Sequence, residues 1–302
     1  MNRKDFLKSV GMMGITAGLV SAGIASGASA KESKSGLEKF LNIADDYEDM
    51  KCKKILKSFD ASLKDKGMGE IMITVGSSFL GTEYVASTLD KNVNSEELVV
   101  MVTGLDCVTF VETCLAMSRC IKAGNTEFSN YKKELANIRY RNGSIDGYPS
   151  RLHYFSDWLY DNDKKGLVRD ITKEIGGVEY NKNINFMSNH PDSYKQIGKY
   201  PEYLSAMQSV ENDINSRQMY YLPAASLDNY YDKLQSGDIY GITTDIDGLD
   251  ITHTGMIYKE DGVTRILHAS LKYKKVLISD TDIKGYIMGN KKQNGLMVAR
   301  PV

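Results

Sequence analysis

The stretch Thr252–Ser270, THTGMIYKEDGVTRILHAS, holds two β-prone runs joined by Asp261-Gly262. Asp-Gly is a strong signal for a two-residue hairpin turn, because such a turn needs positive φ at both positions. With that turn Glu260 pairs with Val263, and counting outward sets His268 opposite Gly255. His253 and Gly255 point to one face, since side chains alternate along a strand. His253 and His268 then become diagonal neighbours, roughly 7–8 Å apart at the backbone, a gap that two imidazoles can bridge. Gly255 leaves space beside the ring. A three-residue turn would instead send the two histidines to opposite faces, as unrelated strand residues.

The same character extends on both sides. GDIYGITT (237–244) precedes the hairpin and KKVLISD (274–280) follows it, so residues 237–280 read as an antiparallel meander. The upstream chain is helical. Leu37, Phe40, Leu41 and Ala44 recur at helical spacing within 36–66. MITVGSSFLGTEYVASTLD (72–90) reads as a helix end, a Gly turn and an extended piece, and 107–122 reads as a helix. Residues 123–235 show helical patches at SDWLYDNDKKGLVRDI and PEYLSAMQSVEND between polar loops. Helices first and strands last predict an α+β fold. No clean linker interrupts residues 31–302, which are expected to form a single domain with 123–235 as a long elaboration.

The 302 residues are 42% hydrophobic and 25% charged, with a formal net charge of −1. No bulk positive field argues for nucleic acid. Residues 1–30 differ from the rest. Arg3, Lys4 and Lys8 precede an apolar run rich in small residues, and Ala28-Ser29-Ala30 stands before Lys31. That order predicts a cleaved secretory signal peptide and an exported protein of the periplasm or cell envelope, with no membrane attachment after cleavage. RKDFLK has lysine where a twin-arginine signal has its second arginine, so the export route stays open.

Asp106 precedes Cys107 in TGLDCVTFVETCLAMSRC (103–120). Asp106 is a good N-cap, which puts Cys107 at the first helical position, where free N–H groups and the helix dipole favour a thiolate. Cys107 also shares a helical face with Phe110, Val111, Cys114 and Ser118, so on this stretch alone a packed core thiol is the preferred reading. Cys114 and Cys120 read as packing. A cysteine nucleophile needs a histidine base with a third group to orient it. Of the four histidines, His190 sits in a turn and reads as a surface residue, and His153 lies in the elaboration. His253 and His268 are the pair in the meander. A zinc site would need a third ligand, and no well-placed carboxylate or cysteine supplies it.

These residues resemble a family. LDCVTFV is similar to the cysteine motif of the NlpC/P60 cell-wall hydrolases, LQSGDIY to their Pro-Gly-Asp strand start, HTGMIY followed by LHAS to their two histidine motifs, and LGTEYVAST to their Leu-Gly-Thr-Pro-Tyr-Val segment. Thr109 stands where that family usually has glycine, and the span from Cys107 to His253 is far longer. Those departures, with GYPSRLHYFSDW, resemble the DUF1460 branch, associated with N-acetylmuramoyl-L-alanine amidase activity. The resemblance implies a papain-like core, in which the cysteine helix packs on the meander, with a long helical and loop insertion. It implies Cys107 as nucleophile, His253 as general base and acid, and His268 as its orienting partner. Tyr84 would stand beside the cysteine, and Asp106 would serve as cap and scaffold. No metal or organic cofactor is implied. The substrate class is a muropeptide or peptidoglycan fragment, cut between muramic acid (including its 1,6-anhydro form) and L-alanine.

The elaboration is expected to supply substrate walls. Tyr148, Tyr154, Phe155 and Trp158 can stack on sugar faces, and Arg139, Arg141 and Arg151 can meet stem-peptide carboxylates. As core aromatics and solvated arginines the same residues would do neither. Three other readings stay open: a γ-D-glutamyl–diamino acid endopeptidase with the same triad, a catalytically inactive wall-binding module, and acyl transfer to an amine or lipid.

Overall fold

Asp261 and Gly262 both take positive φ, 51° and 76°. Such a turn matches the twist of its flanking strands. It joins β7 (Ile251–Glu260) to β8 (Val263–Ser270), and the register runs from Glu260 opposite Val263 to Met256 opposite Leu267. The pairing expected from the turn is the pairing observed. β6 (Ile239–Thr244) and β9 (Lys275–Ile278) flank the hairpin, both antiparallel. This computed structural model describes residues 45–302 except Lys91. The expected signal peptide and the first part of the expected 36–66 helix lie outside the described residues. Within them, 45–56 form α1 and Ala61–Asp65 a separate 3-10 turn capped by Asp60.

Beyond β6 the sheet departs from expectation. β10 (Gln293–Pro301) pairs along β6 and was not foreseen. β3 (Val168–Asp170) and β5 (Tyr220–Pro223) pair with β10, and β4 (Val178–Glu179) pairs with β5. The span 123–235 is therefore more than a helical and loop insertion, because part of it is built into the sheet. Its strands are two to four residues long, too short to display an alternating pattern in the sequence. At the other edge β9 pairs with β1 (Glu83–Tyr84), which runs parallel to β2 (Gly104–Leu105). Among the described residues the result is an α+β architecture around one 10-stranded, mostly antiparallel sheet.

Both faces of the sheet are covered, so β6 is buried at every position and shows no alternation. On one face lie α2 (Met68–Ser77), α3 (Cys107–Lys122) and α4 (Phe128–Arg139). Phe110, Cys114 and Leu115 of α3 join Met256 and Leu267 of the hairpin in one core. On the other face Ile242, Ile257 and Ile266 pack with Leu227, Ile283 and Ile287. The last two belong to α7 (Ile283–Met288). A third cluster unites Tyr148, Tyr154, Phe186 and Met207 near α5 (Phe155–Lys164) and α6 (Glu202–Asn215). Among the described residues no helix is long and apolar enough to cross a membrane.

Candidate active site

Asp106 fixes where α3 begins. Its Oδ1 accepts from the Thr109 N–H at 2.8 Å, and the Asp106 N–H donates to Thr109 Oγ1 at 2.9 Å. This reciprocal capping box satisfies free donors of the first turn. It also explains the threonine at the position where the resembling family has glycine. Cys107 follows as the first helical residue and is half-buried. Glu48 of α1 steadies the approach, accepting from the Val102 N–H at 2.7 Å and from the Thr103 N–H at 3.1 Å.

The thiol departs from expectation. Burial, then the Asp106 carboxylate, push Cys107 up to about 12, against the backbone N–H groups of Thr254, Cys107 and Val108, which favour the thiolate. Loss of water outweighs the helix N-terminus here. Burial thus favours the thiol over the thiolate at Cys107. Cys52, Cys114 and Cys120 are buried in the core.

β7 and β8 bring the histidines together. His253 Nε2 lies 2.7 Å from His268 Nδ1, with the rings nearly perpendicular at 82°. Gly255 makes this possible. A β-carbon there would stand 2.5 Å from the Tyr240 hydroxyl and 2.9 Å from Cβ of His268. Burial holds His253 well below the usual imidazole range, with His268 adding to the effect, and burial pulls His268 down to about 4. Tyr286 of α7 closes the cluster, its ring 5.2 Å from His268 and 6.1 Å from His253. Nothing in the sequence around Tyr286 or Tyr240 marked them.

Cys107 and His253 line one cleft of about 630 Å³, open to solvent. No hydrogen bond joins the sulfur to the ring. Phe155 and Trp158 of α5 form another wall, their rings stacked at 5.5 Å. Asp250 and His153 also line it. The Asp250 carboxylate accepts from the Ser156 N–H at 2.7 Å and its hydroxyl at 2.9 Å, anchoring α5 beside the cleft. Burial raises its pKa despite those bonds. His153 is bonded to the Tyr148 carbonyl at 2.9 Å, and burial lowers its pKa. His190 is half-buried rather than a free surface residue, bonded to the Phe186 carbonyl at 2.8 Å.

The other expected contacts fall elsewhere. Trp158 lines the cleft, with its Nε1 lacking a partner. Arg151 does not line it. It is buried, 2.7 Å from Asp90 and 3.4 Å from Glu96. Tyr154 is buried too, donating to Glu211 at 2.7 Å. Arg139 pairs with Glu112 at 2.7 Å and Arg141 with Asp157 at 2.6 Å. Internal carboxylates far away in sequence claim these arginines, which local sequence cannot reveal. Tyr84 is half-buried on β1, opposite Leu105. Burial and then the charges of Cys107 and Asp106 raise its pKa, which puts it within electrostatic reach of the thiol.

The profile of the AmiA-like family, described as N-acetylmuramoyl-L-alanine amidase-like, matches residues 74–296. The chain belongs to the N-acetylmuramoyl-L-alanine amidase-like family. A solved N-acetylmuramoyl-L-alanine amidase from Bacteroides uniformis is 35% identical to this amidase-like chain, with a TM-score of 0.74, over 78% of this chain and 98% of that one. A second structure of that amidase gives the same values over 78% and 99%. A Legionella pneumophila protein of the DUF1460 family shares the fold, with 20% identity and a TM-score of 0.66 over 86% of this chain and 96% of its own. None of the curated proteins matches the chain. The amidase-like branch inferred from Thr109, the long span between Cys107 and His253 and GYPSRLHYFSDW is thereby supported, and an amidase-like enzyme acting on peptidoglycan-related material is the family's reading.

Proposed function

We propose that the protein is an exported cysteine amidase of the NlpC/P60 type, with a papain-like core, that cuts the amide between N-acetylmuramic acid and L-alanine in peptidoglycan fragments. The observation that carries this reading is the 2.7 Å contact between His253 Nε2 and His268 Nδ1, on the cleft that Cys107 lines. His268 occupies Nε2, so Nδ1 is the nitrogen His253 can offer to the thiol. For Nδ1 to act as base, the His253 hydrogen sits on Nε2 and donates to His268 Nδ1, and His268 carries its own hydrogen on Nε2.

The raised thiol and lowered imidazole make a neutral resting pair. The S–H proton then moves to His253 Nδ1 as the sulfur attacks the lactyl carbonyl carbon. The oxyanion forms beside the Cys107 N–H and Tyr84. It collapses, the C–N bond breaks, and the imidazolium gives its proton to the departing L-alanine amine. Water then attacks the thioester, His253 takes a proton from it, and the free acid and thiol are released.

Residues 31–302 act as one domain, and 123–235 supply the substrate walls, a reading supported by Phe155 and Trp158 in the cleft. Residues 1–30 direct export and are removed before Lys31, which the mass of the mature protein tests. For activity, a defined disaccharide-tetrapeptide is incubated with the protein and the products are weighed. Release of the free disaccharide supports the amidase. Release of a sugar-dipeptide overturns it in favour of the endopeptidase.

A further inference from the structure

The cleft and the turn that follows β8 differ in charge. On the cleft side stands the Asp250 carboxylate, already saturated by Ser156 and Ile251. Glu112 lines the same cleft and is neutralised by Arg139. Nothing there welcomes an anion. Outside the cleft lining, the turn from β8 to β9 carries Lys272, Lys274 and Lys275, all exposed. Among the described residues none of these three is ion-paired, whereas nearby Lys284 is held by Asp228 at 2.9 Å. Glu83, opposite Lys275 in register, is the carboxylate facing this turn.

The turn reaches the reaction centre through short links. The Lys274 carbonyl accepts from the Tyr84 N–H at 2.9 Å. β8, which leads into the turn, carries His268, and the ring of Tyr286 stands 5.2 Å from that imidazole. Tyr273 in the turn is 48% exposed and Leu271 is 42% exposed, so an apolar surface continues outward from the site beside the lysines. Lys272 Nζ lies 5.0 Å from the centre of the Tyr273 ring.

We propose that the Lys272–Lys275 turn is the subsite for the carboxylates of the stem peptide, leaving the cleft to the uncharged half of the substrate. This rests on the amidase reading for the identity of the scissile bond. The departing amine then leaves toward the turn, and the acyl half stays on sulfur in the cleft.

Two measurements separate the two ideas. The first is turnover of a muramoyl-peptide with free carboxylates, against its fully amidated analogue, by wild type and by the K272Q/K274Q/K275Q variant. The second is calorimetric binding of the free and amidated stem peptides to the C107A protein, with and without the lysine changes. Exposed ion pairs contribute little individually, so the triple variant and amidation should each cost about five- to tenfold in kcat/KM and in affinity. The two losses should not multiply, and both should fade as salt rises. A matching unfolding midpoint shows that the variant is folded. Turnover that ignores both changes overturns the subsite and leaves the amidase standing. Lysine-dependent peptide binding without release of the sugar overturns the amidase and supports the subsite.

Discussion

His253 Nε2 and His268 Nδ1 stand 2.7 Å apart, with their ring planes at 82°. The contact leaves one nitrogen of His253 for chemistry and fixes which way that ring faces. His268→Leu removes the acceptor and strands the Nε2 hydrogen of His253. Its kcat should fall by about 10²-fold or more with KM little changed. His268→Asn offers an amide oxygen close to where Nδ1 stood and should recover part of the loss. Equal activity of the two variants in steady-state kinetics would count against an orienting role.

The raised thiol makes a second test. With Cys107 held up to about 12, alkylation by iodoacetamide should accelerate steadily as pH climbs above neutrality. A preformed thiolate–imidazolium pair would give a flat rate instead. Peptide mapping should find Cys107 first, because Cys52, Cys114 and Cys120 are buried.

His268 is fully buried, and its pKa is lowered from 6.5 to about 4. The unfolded chain therefore binds this proton at higher pH than the native one. Stability falls as pH drops from about 6.5 to about 4, by up to ~3 kcal/mol from this group. The raised carboxyls of Asp106 and Asp250 act in the opposite sense. Urea unfolding of wild type and His268→Asn isolates the histidine: the wild type should show the steeper acid loss.

Gly255→Ala should fold poorly and work worse. Its methyl would meet the Leu267 carbonyl oxygen at 2.9 Å, a backbone atom that cannot swing aside, together with Cβ of His268. Overpacking of this kind costs about 1–3 kcal/mol. A thermal scan and a kcat measurement on the same sample should both drop.

Asp106→Ala removes the acceptor from the Thr109 N–H. Loss of such a cap costs about 1 kcal/mol, and it also relieves the Cys107 thiol of a neighbouring negative charge. The variant should melt lower yet alkylate at Cys107 faster.

What the sequence disclosed was local. Asp261-Gly262 set the hairpin register, and Asp106 set the first residue of α3, because each rule acts within a few residues. The upward push on the Cys107 thiol was not legible, since burial comes from the tertiary fold and outweighs the backbone N–H groups of Thr254, Cys107 and Val108. Arg151 and Tyr154 were invisible as buried residues because Asp90 and Glu211 lie far away in the chain. β10 went unread although it pairs along β6 and joins β3 and β5 to the sheet.

That last strand sets an order of events. β6 gains its second neighbour only after Gln293–Pro301 have been made, so the middle of the sheet stays half-built through most of synthesis. Contacts of such long range form slowly. A chain that closes late keeps an unfinished edge until its last strand arrives, and only then tightens into its working shape.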